Sequence, residues 1–314
     1  MPTEKNARAG KVSVVIPCFN RSDLLCRAIG SVLGQTRPDV EILVVDDCST
    51  EDLRAGLAPV WDERVRILRN DTNRGGGYSR RRGALEATGD YVAFLDSDDW
   101  WVPEKLERQL AVAATQPDDR FVLTAKHNLV VAERFRVLPR HVIAPDTKVS
   151  DFVYTQHGTL PTSSILLPAG LAKEITFDPD LRVSQETDFL IRLQKAGARV
   201  IQLDEPLSFF DANPRPDRVS YNPQNIERSK AWFDRVSGDW SVEARKAYYF
   251  ADLAIRCANN GRRGEALRYF FKGVRPSYGV ERIARVLARV LLAGPPPAPV
   301  LRLLFMLRAK SEAR

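Results

Sequence analysis

Over the first 126 residues, short apolar runs alternate with stretches of helical periodicity. Val12-Ser-Val-Val-Ile16 is apolar at four of five positions and stops at Pro17, the pattern of a buried strand. Ser22 to Leu33 follows with apolar positions three and four apart, which predicts a helix. Val40 to Val45 is a second strand ended by Asp46-Asp47, and Val65 to Leu68 a third. Gly76 to Ala87 reads as a helix with a glycine-rich start. Tyr91 to Leu95 is a fourth strand, ended by Asp96-Ser-Asp-Asp99. Pro103 opens a further helix, as proline favours the first turn, and Phe121 to Ala125 is a fifth strand. This rhythm predicts an α/β fold: a mostly parallel sheet flanked by helices on both faces. Ligands bind such sheets at the carboxyl ends of the strands, where both acidic clusters stand.

Beyond residue 126 the pattern weakens. Residues 127–220 are mixed and proline-rich, with helix clear from about Glu186 to Ala196. Helical periodicity returns over 225–275, in Glu243 to Asn259 and Glu265 to Gly273. The expected organisation is a loose polar tail over 1–10, an α/β domain over 11–222, and a helical C-terminal extension over 223–314.

Charge sharpens this division. The net charge is +7, and residues 272–314 hold nine Lys or Arg against two acids, so the rest of the chain balances to zero. A neutral body argues against a nucleic-acid groove. Between Val280 and Leu292, Arg282, Arg285 and Arg289 share one helical face, with Ile283, Val286, Leu287, Val290 and Leu291 on others. A second apolar patch, Leu301 to Leu307, lies between Arg302 and Arg308. A basic amphipathic segment over 280–308 fits an anionic membrane surface. It equally fits a helix packed on the protein body. The four cysteines form no C-x-x-C pair, the Val12 to Phe19 stretch is too short for a secretory core, and no run reaches about 18 apolar residues. The expectation is a reduced, cytoplasmic chain, peripheral at most to the inner face of a membrane.

The acidic triplet carries the chemistry. Asp96, Asp98 and Asp99 place three carboxylates within four residues, and a hard cation, Mn²⁺ or Mg²⁺, relieves their repulsion because it prefers oxygen ligands and bridges to phosphates. A solvated turn before the next helix is the plainer alternative. Four blocks decide between them: Lys11-Val-Ser-Val-Val-Ile-Pro-Cys-Phe-Asn20, Ile42-Leu-Val-Val-Asp-Asp-Cys-Ser-Thr50, Asn73-Arg-Gly75 and Gly89-Asp-Tyr-Val-Ala-Phe-Leu-Asp-Ser-Asp-Asp99. In order and spacing they resemble the family 2 glycosyltransferases of the GT-A fold, a Rossmann-like nucleotide-sugar-binding architecture. The resemblance covers about residues 11–210.

That resemblance implies a nucleotide-binding half over 11–126 and an acceptor half over 127–222. It implies that Pro17, Phe19 and Asn20 frame the nucleotide. Asp47, with Asp46 beside it, reads the base, since a carboxylate accepts the imide N–H of uracil. Asp96, Ser97 and Asp98 form the D-x-D motif at the ribose and the metal, with Asp99 sharing the metal. Arg80 stands where the family carries an arginine in N-x-G-x-x-x-x-R, although Gly75-Gly-Gly-Tyr-Ser-Arg-Arg-Arg82 departs from the usual small residues followed by Arg-Asn. Ser184-Gln-Glu-Thr-Asp188 resembles the family's acidic block and places Glu186 at the general-base position, where Asp is usual, and Asp188 at the second acid; either can serve as base. Trp100, Trp101 and His157 are acceptor candidates. The implied activity is inverting, metal-dependent transfer of a hexosyl or N-acetylhexosaminyl group from a nucleotide diphosphate, UDP favoured, to a glycan or lipid-linked hydroxyl in cell-surface polysaccharide synthesis. A non-catalytic nucleotide-sugar-binding scaffold on the same fold is the alternative, because Glu replaces Asp at 186.

Overall fold

The structure, a computed structural model, describes residues 10–37, 39–132, 134–213 and 225–292. Residues 1–9 of the expected tail, the expected boundary at 222 and the Leu301–Leu307 patch lie outside them. The chain divides into two compact units, Met1–Asn213 and Pro214–Arg314.

The first unit opens with β1 (Val12–Cys18), α1 (Ser22–Leu33), β2 (Val40–Asp46), α2 (Leu53–Gly56), β3 (Val65–Arg69), α3 (Gly75–Glu86) and β4 (Tyr91–Phe94). It continues through β5 (Trp100–Trp101), α4 (Lys105–Ala114), β6 (Phe121–Val131), β7 (Arg134–Leu138), α5 (Val149–Tyr154), β8 (Leu166–Pro168), α6 (Ala169–Glu174), α7 (Gln185–Lys195) and β9 (Arg199–Asp211). The strands form one sheet in the order β3-β2-β1-β4-β8-β6-β9-β5, with β7 on β6. From β3 to β4 every pairing is parallel. The Val/Ile runs of β1 and β2 are almost entirely buried, as strands covered on both faces must be.

Beyond β4 the directions mix. β8 runs antiparallel to β4 and β6, β7 antiparallel to β6 and β5 antiparallel to β9, while β6 and β9 are parallel. The chain leaves β4 through Asp96–Asp99 and enters β5 within a few residues, too few for a helical crossover. The β6–β9 ladder slips at Ala125, Lys126 and His127, opposite the Pro206 region, and a proline that lacks N–H fits such an irregularity.

Alternation along the strands sorts the layers. Val14, Ile16, Ala93 and Leu95 pack with Leu25 and Ile29 of α1 and Leu106 and Leu110 of α4. On the opposite face, α3 lies so close to β1 that a Cβ at Gly83 would stand 2.3 Å from Val15 Cγ1. Phe94 meets Phe177 at 5.0 Å and Phe189 of α7 at 6.0 Å between ring centroids.

The second unit holds α8 (Asn225–Val236), α9 (Val242–Ala247), α10 (Ala254–Asn259), α11 (Arg263–Gly273) and α12 (Val280–Leu292). A π-turn, Tyr248–Leu253, joins α9 to α10. Phe233 and Tyr248 stack at 4.5 Å beside Trp232 and Trp240. The apolar stripe of α12 turns into this unit: Val286 and Val290 join Phe250, Cys257 and Phe270 in one core. Arg282 lies 4.7 Å over the Tyr278 ring. Among the described residues, no helix is long and apolar enough to cross a membrane.

Candidate active site

The β1 and β2 ends are stitched to each other and to α3. Asn20, with φ +50°, accepts from the Thr50 N–H at 2.8 Å, and its own N–H donates to Ser49 Oγ at 3.0 Å. Asparagine tolerates this left-handed backbone, which aims the Phe19–Asn20 loop outward; Phe19 is exposed. Pro17 pairs with Val45 in the β1–β2 ladder. Asp46 is buried and ion-paired with Arg69 at 2.6 Å. Asp47 is nearly buried. Its Oδ1 accepts from Asn70 Nδ2 and the Arg74 N–H, both at 2.8 Å, and its Oδ2 from the Gly75 N–H at 2.6 Å. It thereby caps the start of α3 as an acidic helix cap does.

The triplet follows β4. One ligating oxygen from each of Asp96, Asp98 and Asp99 lies within 4.8 Å of the others. Arg80 donates to Asp96 Oδ1 at 2.5 Å, and the Arg21 guanidinium approaches Asp98 Oδ2 at 3.6 Å. Asp99 is buried; it accepts from Ser163 Oγ–H at 2.5 Å and from the Asp211 N–H at 3.1 Å. Burial first, then the charges of Asp98 and Asp96, push its pKa well above the usual carboxylate range. Ser97, between them, is buried. The oxygen donor set and the crowding of negative charge suit a hard divalent cation.

Arg80 connects this cluster to α7. Its second nitrogen donates to Gln185 Oε1 at 2.5 Å, so one guanidinium spans from Asp96 to the residue beside Glu186. Glu186 is half-buried in the first turn of α7. Asp188 is different: it is buried and paired with Arg192 Nε at 2.7 Å, and Arg192 also donates to Thr176 O at 2.8 Å.

The aromatic candidates separate. Trp101 is a core residue whose Nε1–H donates to Ser163 O at 2.7 Å, so its ring offers no face to a sugar. Trp100 is half-buried; its ring stacks on Phe209 at 4.9 Å and carries the Arg27 guanidinium at 3.9 Å. His157 is exposed, with φ +58°. The structure adds residues that the sequence reading did not single out. Arg27 donates to Asp98 O at 2.6 Å and pairs with Asp211 at 3.2 Å, and Ser163 supports both Asp99 and the Asp96 N–H. Arg27 and Asp211 are 184 positions apart, so no local pattern signals their meeting.

A parallel half-sheet with an acidic triplet at its carboxyl edge, and Asp47 capping α3, is the arrangement expected of the GT-A fold. Residues 13–159 match the model of glycosyl transferase family 2. It is 28% identical over 272 residues to the amylovoran biosynthesis glycosyltransferase AmsB of Erwinia amylovora, covering 82% of this chain and 90% of that one. Its fold is similar to S. aureus TarS in complex with UDP-GlcNAc, with TM-score 0.59 at 20% identity, covering 89% and 81% of the two chains. It is also similar to the mannosyltransferase PcManGT of Pyrobaculum calidifontis in complex with GDP-Man and Mn²⁺, with TM-score 0.56 at 15% identity, covering 96% and 80%.

Proposed function

We propose that this chain transfers a hexosyl or N-acetylhexosaminyl group, with inversion, from a nucleoside diphosphate to a hydroxyl of a glycan or lipid-linked acceptor in polysaccharide synthesis. The observation that carries the reading is the Arg80 bridge, 2.5 Å to Asp96 and 2.5 Å to Gln185, which sets the candidate base beside the donor acids. Pro17, Phe19, Asn20, Asp46 and Asp47 frame the nucleoside. Asp98, with Asp96 and Asp99, would hold Mn²⁺ or Mg²⁺, which when bound neutralises charge on the departing diphosphate. Glu186 takes the acceptor proton as the new bond to the anomeric carbon forms and the bond to diphosphate breaks. Asp188 is held by Arg192 and orients α7 instead. AmsB, named for amylovoran biosynthesis, supports polysaccharide synthesis, and the TarS complex with UDP-GlcNAc supports UDP. Contact of residues 280–308 with an anionic membrane draws support from their charge and from exposed Val280, Leu291 and Leu292.

The test is thermal shift and donor hydrolysis with UDP-, GDP- and dTDP-sugars, with and without Mn²⁺. Metal-dependent stabilisation by one donor, lost in Asp98→Ala, is expected. No response to any donor with metal present would turn the reading towards a scaffold without transfer activity.

A further inference from the structure

Behind the acidic triplet lies a run of buried polar side chains that no step of the transfer uses. It begins at Lys105, the first residue of α4, which is fully buried. Its Nζ donates to Gln109 Oε1 at 2.7 Å, one turn along α4, and lies 3.9 Å from the centroid of the Trp101 ring. Among the described residues no carboxylate pairs with it. Burying an amine against one amide oxygen and a ring face costs free energy that a methionine side chain of similar length would not. Packing alone therefore gives no reason for an amine at this position.

The two neighbours of Lys105 hold the same turn, Thr162–Ser164. Gln109 Nε2 donates to Ser164 O at 2.8 Å, and Trp101 Nε1 donates to Ser163 O at 2.7 Å. Gln109, Trp101, Ser163 and Ser164 are all buried. The Ser163 hydroxyl then serves two of the three acids. It donates to Asp99 Oδ2 at 2.5 Å and accepts from the Asp96 N–H at 3.1 Å. A carboxamide can turn end for end, which exchanges its donor and its acceptor. With Lys105 Nζ donating, Gln109 keeps only the orientation that aims Nε2 at Ser164 O. The Trp101 ring, held by the amine at its face, keeps its N–H on Ser163 O.

We propose that Lys105 is a positioning residue for the cation site: through Gln109 and Trp101 it fixes the Thr162–Ser164 turn, and through Ser163 it sets how Asp96 and Asp99 are held for Mn²⁺ or Mg²⁺. This rests on the proposed role of the triplet as cation ligands. Groups that hydrogen-bond to metal ligands orient them and so tune the affinity for the metal. Ser163 is such a group, and Lys105 acts one step behind it.

The experiment is titration of the full chain with Mn²⁺ alone, read by the loss of the free-ion signal in electron paramagnetic resonance. Wild type, Lys105→Met, Ser163→Ala and the double variant are compared, with melting recorded in parallel. Ser163→Ala is expected to raise the Kd for Mn²⁺ roughly 10- to 100-fold. Lys105→Met is expected to raise it roughly 3- to 10-fold, the net effect of one hydrogen bond, without a lower melting temperature. In the Ser163→Ala background the path is already cut, so adding Lys105→Met is expected to change the Kd less than about twofold. A purely structural role for Lys105 would move melting and leave Mn²⁺ affinity alone. If Lys105→Met does not fold, Trp101→Phe, which removes the indole N–H but keeps a ring beside Lys105, takes its place in the same cycle. A Kd unchanged by Lys105→Met, or raised by the same factor with and without the Ser163 hydroxyl, would overturn the proposal. A wild type that binds no Mn²⁺ would overturn the cation reading itself, an outcome distinct from binding that ignores Lys105.

Discussion

Lys105 is fully buried, with its ammonium 3.9 Å from the centroid of the Trp101 ring and 2.7 Å from Gln109 Oε1. Burial drives its pKa well below the ordinary lysine value. One amide oxygen and a ring face do not replace the hydration of an ammonium, so Lys105→Met is expected to be neutral or to stabilise by about 1–3 kcal/mol in chemical denaturation. The sign of the pH effect follows. Below the unfolded lysine value the unfolded chain holds a proton that the folded chain resists, so this group's contribution to stability rises with pH through that window, and the variant removes that slope. A loss of more than about 2 kcal/mol in Lys105→Met would instead make the ammonium a net stabilising group. The two acids of α7 are expected to fail in different ways. Glu186→Gln loses roughly 10²- to 10⁴-fold in kcat with donor affinity retained, the size of a general-base contribution. Asp188→Asn breaks the pair with Arg192 and costs about 2–3 kcal/mol of stability, less than a fully buried pair because the Arg192 side chain is 34% exposed. Equal kcat losses without a stability difference would reverse the two assignments.

The elements show what the chain announces in advance. Buried parallel strands must be nearly continuous apolar runs, so β1, β2 and β4 stand out, and the acids that stop them mark the ligand edge. Asp47 and the Asp96–Asp99 triplet were legible for that reason. The antiparallel half was not: β5 has two residues and β8 three, too short for any periodicity, and their directions are set by partners far along the chain. Arg27 was hidden in the same way, since it reaches Asp98 and Asp211 only through the folded sheet. The packing of α3 on β1 is equally non-local and yields a sharp contrast. At Gly83, alanine gains helix propensity of about 1 kcal/mol but drives a methyl to 2.3 Å from Val15 Cγ1, an overpacking that costs about 1–3 kcal/mol or more. Gly83→Ala is expected to lower the melting temperature. Gly30 in α1 is exposed with nothing within 4 Å of an added Cβ, so Gly30→Ala should raise it. The same direction of change in both would mean that α3 is not wedged against the sheet.

At the scale of the molecule, an α/β unit that matches the family 2 model over residues 13–159 is followed by a helical unit with its own core, and the net positive charge gathers in the latter. The sequence left two destinations for the apolar stripe of its basic helix, and the structure turns that stripe inward: Val290 is fully buried among Phe250, Cys257 and Phe270, while Leu292 is 81% exposed. A carboxylate at 290 would be stranded away from water among apolar side chains, so Val290→Asp is expected to cost on the order of 4 kcal/mol, the size of effect that follows burial of a charge. Leu292→Asp should stay within about 0.5 kcal/mol, as exposed substitutions do. Thermal melting of the full chain reads the first effect. Co-sedimentation with anionic vesicles reads a second, independent one. If α12 closes the helical core and the remaining basic charge does the membrane work, Val290→Asp lowers the melting temperature and Leu292→Asp leaves it alone, with vesicle binding falling steeply in salt for the wild type. If the stripe instead enters the bilayer, Val290→Asp leaves melting unchanged and abolishes sedimentation even at low salt, and the core assignment of α12 is wrong.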